Sequence, residues 1–229
     1  MTLDEKIAAV ATLLKRIAAE YAPATLANSL GAEDMVLTDL IAKHAPSIEL
    51  FTLDTGRLNP ETYDLLAKVQ ETYGDKVTVR TYAPQADAIQ KYVEGSGINA
   101  FYNSVELRKQ CCGIRKVEPL NRALAGKKSW ITGIRRQQAV TRADMPFEEF
   151  DADHGLAKFN PLADWTEKEV WEYIRANNVP YNALHDKHYP SIGCAPCTRA
   201  ISIGEDVRAG RWWWEDESGK ECGLHVKKN

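Results

Sequence analysis

The chain has 229 residues, 44% hydrophobic and 27% charged, with a formal net charge of −3, enough apolar material for one full core and a modest appendage. So even a balance excludes a generally basic nucleic-acid surface, and an anionic ligand would have to be met by local groups of Arg and Lys. Charges at Asp4, Glu5, Lys6, Lys15, Arg16 and Glu20 leave the first residues without the uncharged core of a secretory signal or a membrane span, and an odd five cysteines argues against a disulfide scaffold, so a cytoplasmic chain with reduced thiols is expected.

The elements alternate along the chain. Thr2 and Glu5 form a capping-box pattern, and Ile7, Val10, Leu14 and Ile17 recur at helical spacing, which predicts a first helix to about Tyr21. Thr25 to Ser29 reads as a short strand ending at Gly31, and Met35, Val36, Leu40 and Ile41 predict a second helix. Ile48 to Leu53 is a second strand; Asn59 and Pro60 suit the N-cap and first position of a helix to about Tyr73. Val77 to Tyr82 and Ser129 to Thr132 give a third and fourth strand, and a second capping box, Thr166 and Glu169, opens a helix expected to bury Val170, Trp171 and Ile174. This order predicts an α/β fold, a parallel sheet with helices on both faces.

In such a fold ligands sit beyond the carboxyl ends of the strands. Polar residues cluster there: Ser29 to Asp34, Leu53 to Arg57 and Thr132 to Arg136, three loops expected to share one crevice. Ser29, Gly31, Asp54, Thr55, Gly56, Gly133 and Arg135 are the candidate ligand-binding residues of these loops. Gly31 lets the backbone approach an anion at a helix N-terminus, although a plain strand-to-helix turn would use the same residues. The loop lacks the lysine and spacing of a Walker A motif. Asp54 suits a ribose hydroxyl or the cap of the next helix equally well.

Four of the five cysteines form two tight pairs, Cys111 with Cys112 and Cys194 with Cys197, and Cys222 stands apart near the end. The division suggests a four-thiolate metal site and a separate reactive sulfur. Two residues between Cys194 and Cys197 let both thiolates turn toward one centre. Adjacent side chains normally diverge, so Cys111 and Cys112 suit a 4Fe-4S cluster better than one tetrahedral zinc; zinc and small buried cysteines without metal are the alternatives.

Taken together, the segments Ser29 to Asp34, Leu53 to Arg57, Cys111 to Leu120, Lys158 to Leu162, Ile192 to Arg199, Gly210 to Trp214 and Glu221 to His225 resemble the phosphoadenylyl-sulfate reductase family, in its bacterial iron-sulfur branch acting on adenosine 5'-phosphosulfate (APS). The likeness covers nearly the whole chain, and the presence of both cysteine pairs selects the APS branch. The resemblance implies an adenine nucleotide alpha-hydrolase-like fold and the thioredoxin-dependent reduction of APS to sulfite and AMP in sulfate assimilation and cysteine biosynthesis. It implies Cys222 as nucleophile and one 4Fe-4S cluster on Cys111, Cys112, Cys194 and Cys197.

The chemistry of the residues agrees with that implication. Sulfur in a phosphosulfate yields to a strong nucleophile, and a thiolate is the best a protein owns near neutral pH. With four cysteines on a cluster, no second thiol is left to release sulfite from Cys222, so an external dithiol is required. Fixed cations are expected around the phosphosulfate, with Lys116, Arg142, Arg208 and Arg211 as candidates, and Lys116 shares a face with Cys112 if the segment is helical. His225 would lower the pKa of Cys222 or touch the ligand, unless it is inert. Of Trp212, Trp213 and Trp214, at least one is expected to cover a nucleotide or to dock the tail on the main domain, docking being the favoured reading. Residues 1–200 are therefore expected to form the nucleotide-binding domain with the iron-sulfur site, and residues 201–229 a mobile arm carrying Cys222. The expected partners are APS and thioredoxin, without nucleic acid or membrane; self-association is left open.

Overall fold

The computed structural model describes residues 1–139 and 142–215. It contains a six-stranded sheet in the order β3-β2-β1-β4-β6-β5, from β1 (Ala24–Ala27), β2 (Glu49–Leu53), β3 (Val79–Tyr82), β4 (Ser129–Ile131), β5 (Glu148–Asp151) and β6 (Leu156–Phe159). β1 pairs in parallel with β2 and β4, and β4 with β6; β5 is an antiparallel edge strand. The α/β expectation holds, with a β5–β6 hairpin that the sequence reading did not include. Its strands lack a clean apolar run: Glu148 to Asp151 alternates exposed and half-buried residues, as an edge strand can.

Contacts divide the chain into two compact units, the first of Met1–Thr52, Pro60–Arg80 and Leu124–Ala183, the second of Leu53–Asn59, Thr81–Ala123 and the chain from Leu184 onward.

The first unit holds the main core. Helix α1 (Leu3–Glu20) opens on the predicted capping box, with Glu5 N–H donating to Thr2 Oγ1 at 3.3 Å and Thr2 N–H to Glu5 Oε2 at 2.8 Å. It buries Val10, Leu14 and Ile17. Helix α2 (Ala32–His44) is buried on nearly all sides by Met35, Val36, Leu37, Leu40 and Ile41, as a central helix should be. Its Asp39 is kept in the core by the Tyr173 hydroxyl at 2.6 Å, the Tyr73 hydroxyl at 3.2 Å and Lys43 at 2.7 Å. Helix α3 (Pro60–Tyr73) starts on Pro60, whose missing N–H costs nothing there. The predicted box of Thr166 and Glu169 also forms, ahead of the helix Glu167–Ala176. That helix buries Val170, Tyr173 and Ile174; Trp171 is half-buried and packs edge-on against Tyr181 at 5.2 Å.

The second unit has a smaller apolar cluster of Tyr92, Ala100, Phe101, Cys111, Cys194, Cys197 and Trp212. Its backbone is a helical run in three parts: a helix (Val105–Cys112), a wider π-helical turn (Gly113–Val117) and a short helix (Glu118–Leu124). Pro119 explains the widening, since its ring would collide with the carbonyl four residues back in a regular α-helix.

Candidate active site

In the first unit, the order of strands reverses beside β1, whose chain continues to β2 on one side while β4 lies on the other. This is the switch point where an open α/β sheet leaves a crevice. Ser29, Leu30 and Gly31 follow β1 there. Leu30 takes a left-handed φ of 63°, and its N–H is held by Asn28 Oδ1 at 2.7 Å. Helix α2 then starts from Gly31 without a side-chain cap, which leaves amides at its N-terminus able to receive an anion. The β4 exit is fastened to this turn by Asp34, whose carboxylate accepts from the Ser29 N–H at 2.7 Å, the Ser29 hydroxyl at 2.6 Å and the Gly133 N–H. Burial pushes the Asp34 pKa up to about 6 against those bonds. A β-carbon on Gly133 would collide with Asp34, so only glycine fits. Arg135 is buried, its Nε donating to Glu33 at 2.8 Å and its Nη1 reaching Gln137 and the Trp165 carbonyl. Arg142 is half-buried and donates to Gln138 Oε1 at 2.7 Å.

In the second unit, the residues after β2 make a clamp. Asp54 accepts from the Gly56 N–H at 2.8 Å and closes a turn in which Gly56 has a φ of 68°. Arg57 O accepts from Ala195 N–H at 2.8 Å, and the Asn59 amide donates to Gly193 O at 3.3 Å, so this loop grips the turn carrying Cys194 and Cys197. Thr55 Oγ1 lies 3.2 Å from Cys194 Sγ.

All four paired cysteines line one cavity, with Arg57, Arg108, Arg115 and Lys116 in its wall. The helical run explains how adjacent cysteines reach the same space. Residues 108, 111, 112, 115 and 116 follow the spacing of a single helix face, and Cys111 and Cys112 straddle its midline. The Arg115 guanidinium hydrogen-bonds Cys111 and the Thr55 carbonyl, and the Arg108 guanidinium hydrogen-bonds Cys112. Burial pushes Cys197 up to about 12, with Cys194 and Cys112 adding to the rise and Lys116 and Arg211 opposing it; burial also raises Cys111. Binding a metal here would expel those protons.

These residues fit a four-cornered group. Among the described residues no group of three or more His, Cys, Asp or Glu side chains is placed to hold a metal ion; the four thiols line the wall of a cavity. Trp212 packs in the same apolar cluster, and its buried indole N–H has no partner among the described residues, a donor that a bound sulfur atom would satisfy. Four cations in the wall match a group that is negative once ligated by thiolates.

Arg211 is buried, 4.7 Å from the Trp212 ring and bonded to the Ile192 carbonyl at 3.3 Å, and it fills the space where Gly193 would carry a β-carbon. Arg208 is half-buried, its N–H donating to Asp206. Trp214 packs against Tyr102 at 4.5 Å. Cys222 and His225 lie outside the described residues. Sequence reasoning missed Arg57, Arg108 and Arg115 as cavity residues; the spacing of Arg108 and Arg115 from the cysteine pair was the available signal.

The Phosphoadenosine phosphosulfate reductase domain matches residues 23–200, a span that holds both strand-end turns of the first unit and all four paired cysteines. The chain belongs to this family. It is 56% identical over 227 residues to the adenosine 5'-phosphosulfate reductase of Allochromatium vinosum, covering 99% of this chain and 88% of that protein. In structure it is similar to the phosphoadenylyl-sulfate reductase of Candida auris solved as a phosphate complex, with a TM-score of 0.72 and 28% identity over 87% of this chain and 96% of that one. Yeast FAD synthetase in complex with FAD shares the fold alone, with a TM-score of 0.57 and 15% identity over 86% of this chain and 67% of that one. The adenine nucleotide alpha-hydrolase-like expectation is met. No described helix is long and apolar enough to cross a membrane.

Proposed function

We propose that this member of the family is an adenylyl-sulfate reductase of sulfate assimilation and cysteine biosynthesis, reducing adenosine 5'-phosphosulfate to sulfite and AMP with thioredoxin as cytoplasmic reductant. The observation that carries the reading is the shared cavity: four thiols and four cations of one unit face the same space. Cys111, Cys112, Cys194 and Cys197 would hold one 4Fe-4S cluster. When bound, it supplies charge and rigidity, because thiol chemistry already accounts for both electrons of the reduction.

The Cys222 thiolate attacks the sulfur of APS; the bond from that sulfur to the bridging oxygen breaks, and AMP leaves with the electron pair. Lys116, Arg142, Arg208 and Arg211 neutralise the charge that grows on the departing oxygens, and Ser29, Gly31, Asp54, Thr55, Gly56, Gly133 and Arg135 position the nucleotide. His225 favours the Cys222 thiolate. The part of the chain that follows Glu215 brings Cys222 to the substrate. One thiolate of reduced thioredoxin then attacks the Cys222 sulfur of the S-sulfocysteine and expels sulfite. Its second thiol resolves the mixed disulfide and returns Cys222, so that the dithiol supplies both electrons.

The test is a steady-state assay with thioredoxin on APS and on its 3'-phosphorylated relative, alongside an iron and sulfide count. Sulfite from APS, four irons per chain and an inactive Cys222→Ser protein that still binds AMP are expected. Turnover by Cys222→Ser overturns the mechanism, and one zinc per chain without acid-labile sulfide overturns the cofactor.

A further inference from the structure

Arg108 lies one helical turn before the adjacent cysteines and is 1% exposed, unusual for a guanidinium. Its Nε donates to Glu215 Oε1 at 2.9 Å and its Nη2 to Oε2 at 2.7 Å, a two-pronged pair in which both side chains are buried. The same guanidinium hydrogen-bonds the Cys112 thiol and lies 4.6 Å from the centre of the Trp212 ring. One side chain thus touches a cavity cysteine, an indole and the acid three residues after that indole.

Trp212 has a left-handed φ of 43°, a strained conformation for a bulky residue that persists only where its surroundings over-determine it. Arg108, Arg211 and the bond from Trp212 N–H to Cys197 O at 3.2 Å do so here. A buried ion pair adds little net stability over apolar packing, yet losing one partner strands a buried charge. Such a pair is therefore better suited to fixing a position than to holding the fold together.

We propose that Arg108 is a positioning residue that anchors Glu215 to the cysteine-bearing helix and so fixes the root of the segment reaching Cys222 seven residues later. This rests on Cys222 being the nucleophile proposed above. Freeing Glu215 loses the direction that the anchored root gives the chain, so that the reaction slows on the order of tenfold. Because Arg108 also holds Cys112, filling the cavity steadies the root.

Glu215→Ala and Glu215→Gln test this, since Glu215 is not among the cavity-lining residues. Three quantities are measured: iron per chain, hydrogen exchange at the Trp212 and Glu215 amides, and the single-turnover rate at which APS adds mass to Cys222. In Glu215→Ala, iron and AMP affinity stay within about twofold, both amides exchange at least about tenfold faster, and the adduct forms about tenfold more slowly. Glu215→Gln, which keeps the shape, falls between and serves if the alanine variant fails to fold. Chelation of the wild-type protein speeds exchange at the same amides. Unchanged exchange and adduct rates with normal iron overturn the proposal, as does loss of iron in both variants, which would make the pair a frame for the cavity. Unchanged exchange after chelation overturns the coupling. An active Cys222→Ser protein removes the nucleophile, while the exchange data still decide the anchor.

Discussion

The carboxylate of Asp34 accepts both the backbone N–H and the hydroxyl of Ser29, at 2.7 and 2.6 Å, and so fixes the turn after β1 from inside the first unit. Burial raises this acid from 3.8 to about 6. A carboxyl whose pKa is higher in the folded than in the unfolded chain stabilises the fold fully below the unfolded value and loses that contribution as pH rises through the folded one. Between about pH 4 and 6, stability should therefore fall with rising pH by up to about 3 kcal/mol from this group. Urea unfolding of wild type and Asp34→Asn across that range checks it: the difference between the two curves should change with pH, and parallel curves would show that Asp34 titrates normally.

Gly133→Ala places a methyl group against the Asp34 carboxylate and 2.9 Å from Glu33 Cβ. The turn cannot yield without breaking the Asp34 bonds, so a loss of about 1–3 kcal/mol is expected, with weakened AMP binding. Calorimetry and a binding titration decide it; wild-type values in both would mean that the β4 exit moves freely.

Cys112→Ser and Cys194→Ser should each lose iron and activity together, because a missing thiolate leaves one corner of the cluster open. Iron analysis beside the sulfite assay is the check. A serine variant with full iron and full activity would remove that cysteine from the ligand set.

Lys116→Ala should lower turnover on the order of a hundredfold while most iron is retained, since a charge-assisted contact to the developing charge is lost. Full activity in this variant would make Lys116 a structural wall residue. APS should be turned over in strong preference to its 3'-phosphorylated relative, and equal rates on both in the steady-state assay would overturn that expectation.

Much of the first unit was legible because its signals are local. Both capping boxes, the proline opening α3 and the apolar spacing of α1 each act within a few residues, and each formed. The cysteine pairs stood out by type and number. What escaped was set by contacts distant in sequence or by weak patterns: Trp171 yields its place in the core to Tyr173 because the helix turns its buried face toward α2, and β5 is too polar to read as a strand. Arg57, Arg108 and Arg115 resemble ordinary surface charge in sequence. Only the fold brings Arg57 O to Ala195 N–H and Arg108 to Glu215.

The two cysteine pairs are 82 positions apart, from Cys112 to Cys194, yet face one cavity. A group bonded to both would close a covalent ring through that stretch, which removes chain entropy from the unfolded ensemble as a disulfide does, about 4–5 kcal/mol for a loop of this length. Chain opening and loss of such a group would then be linked events: its release under oxidation would loosen the stretch between the pairs, which includes β4, β5 and β6.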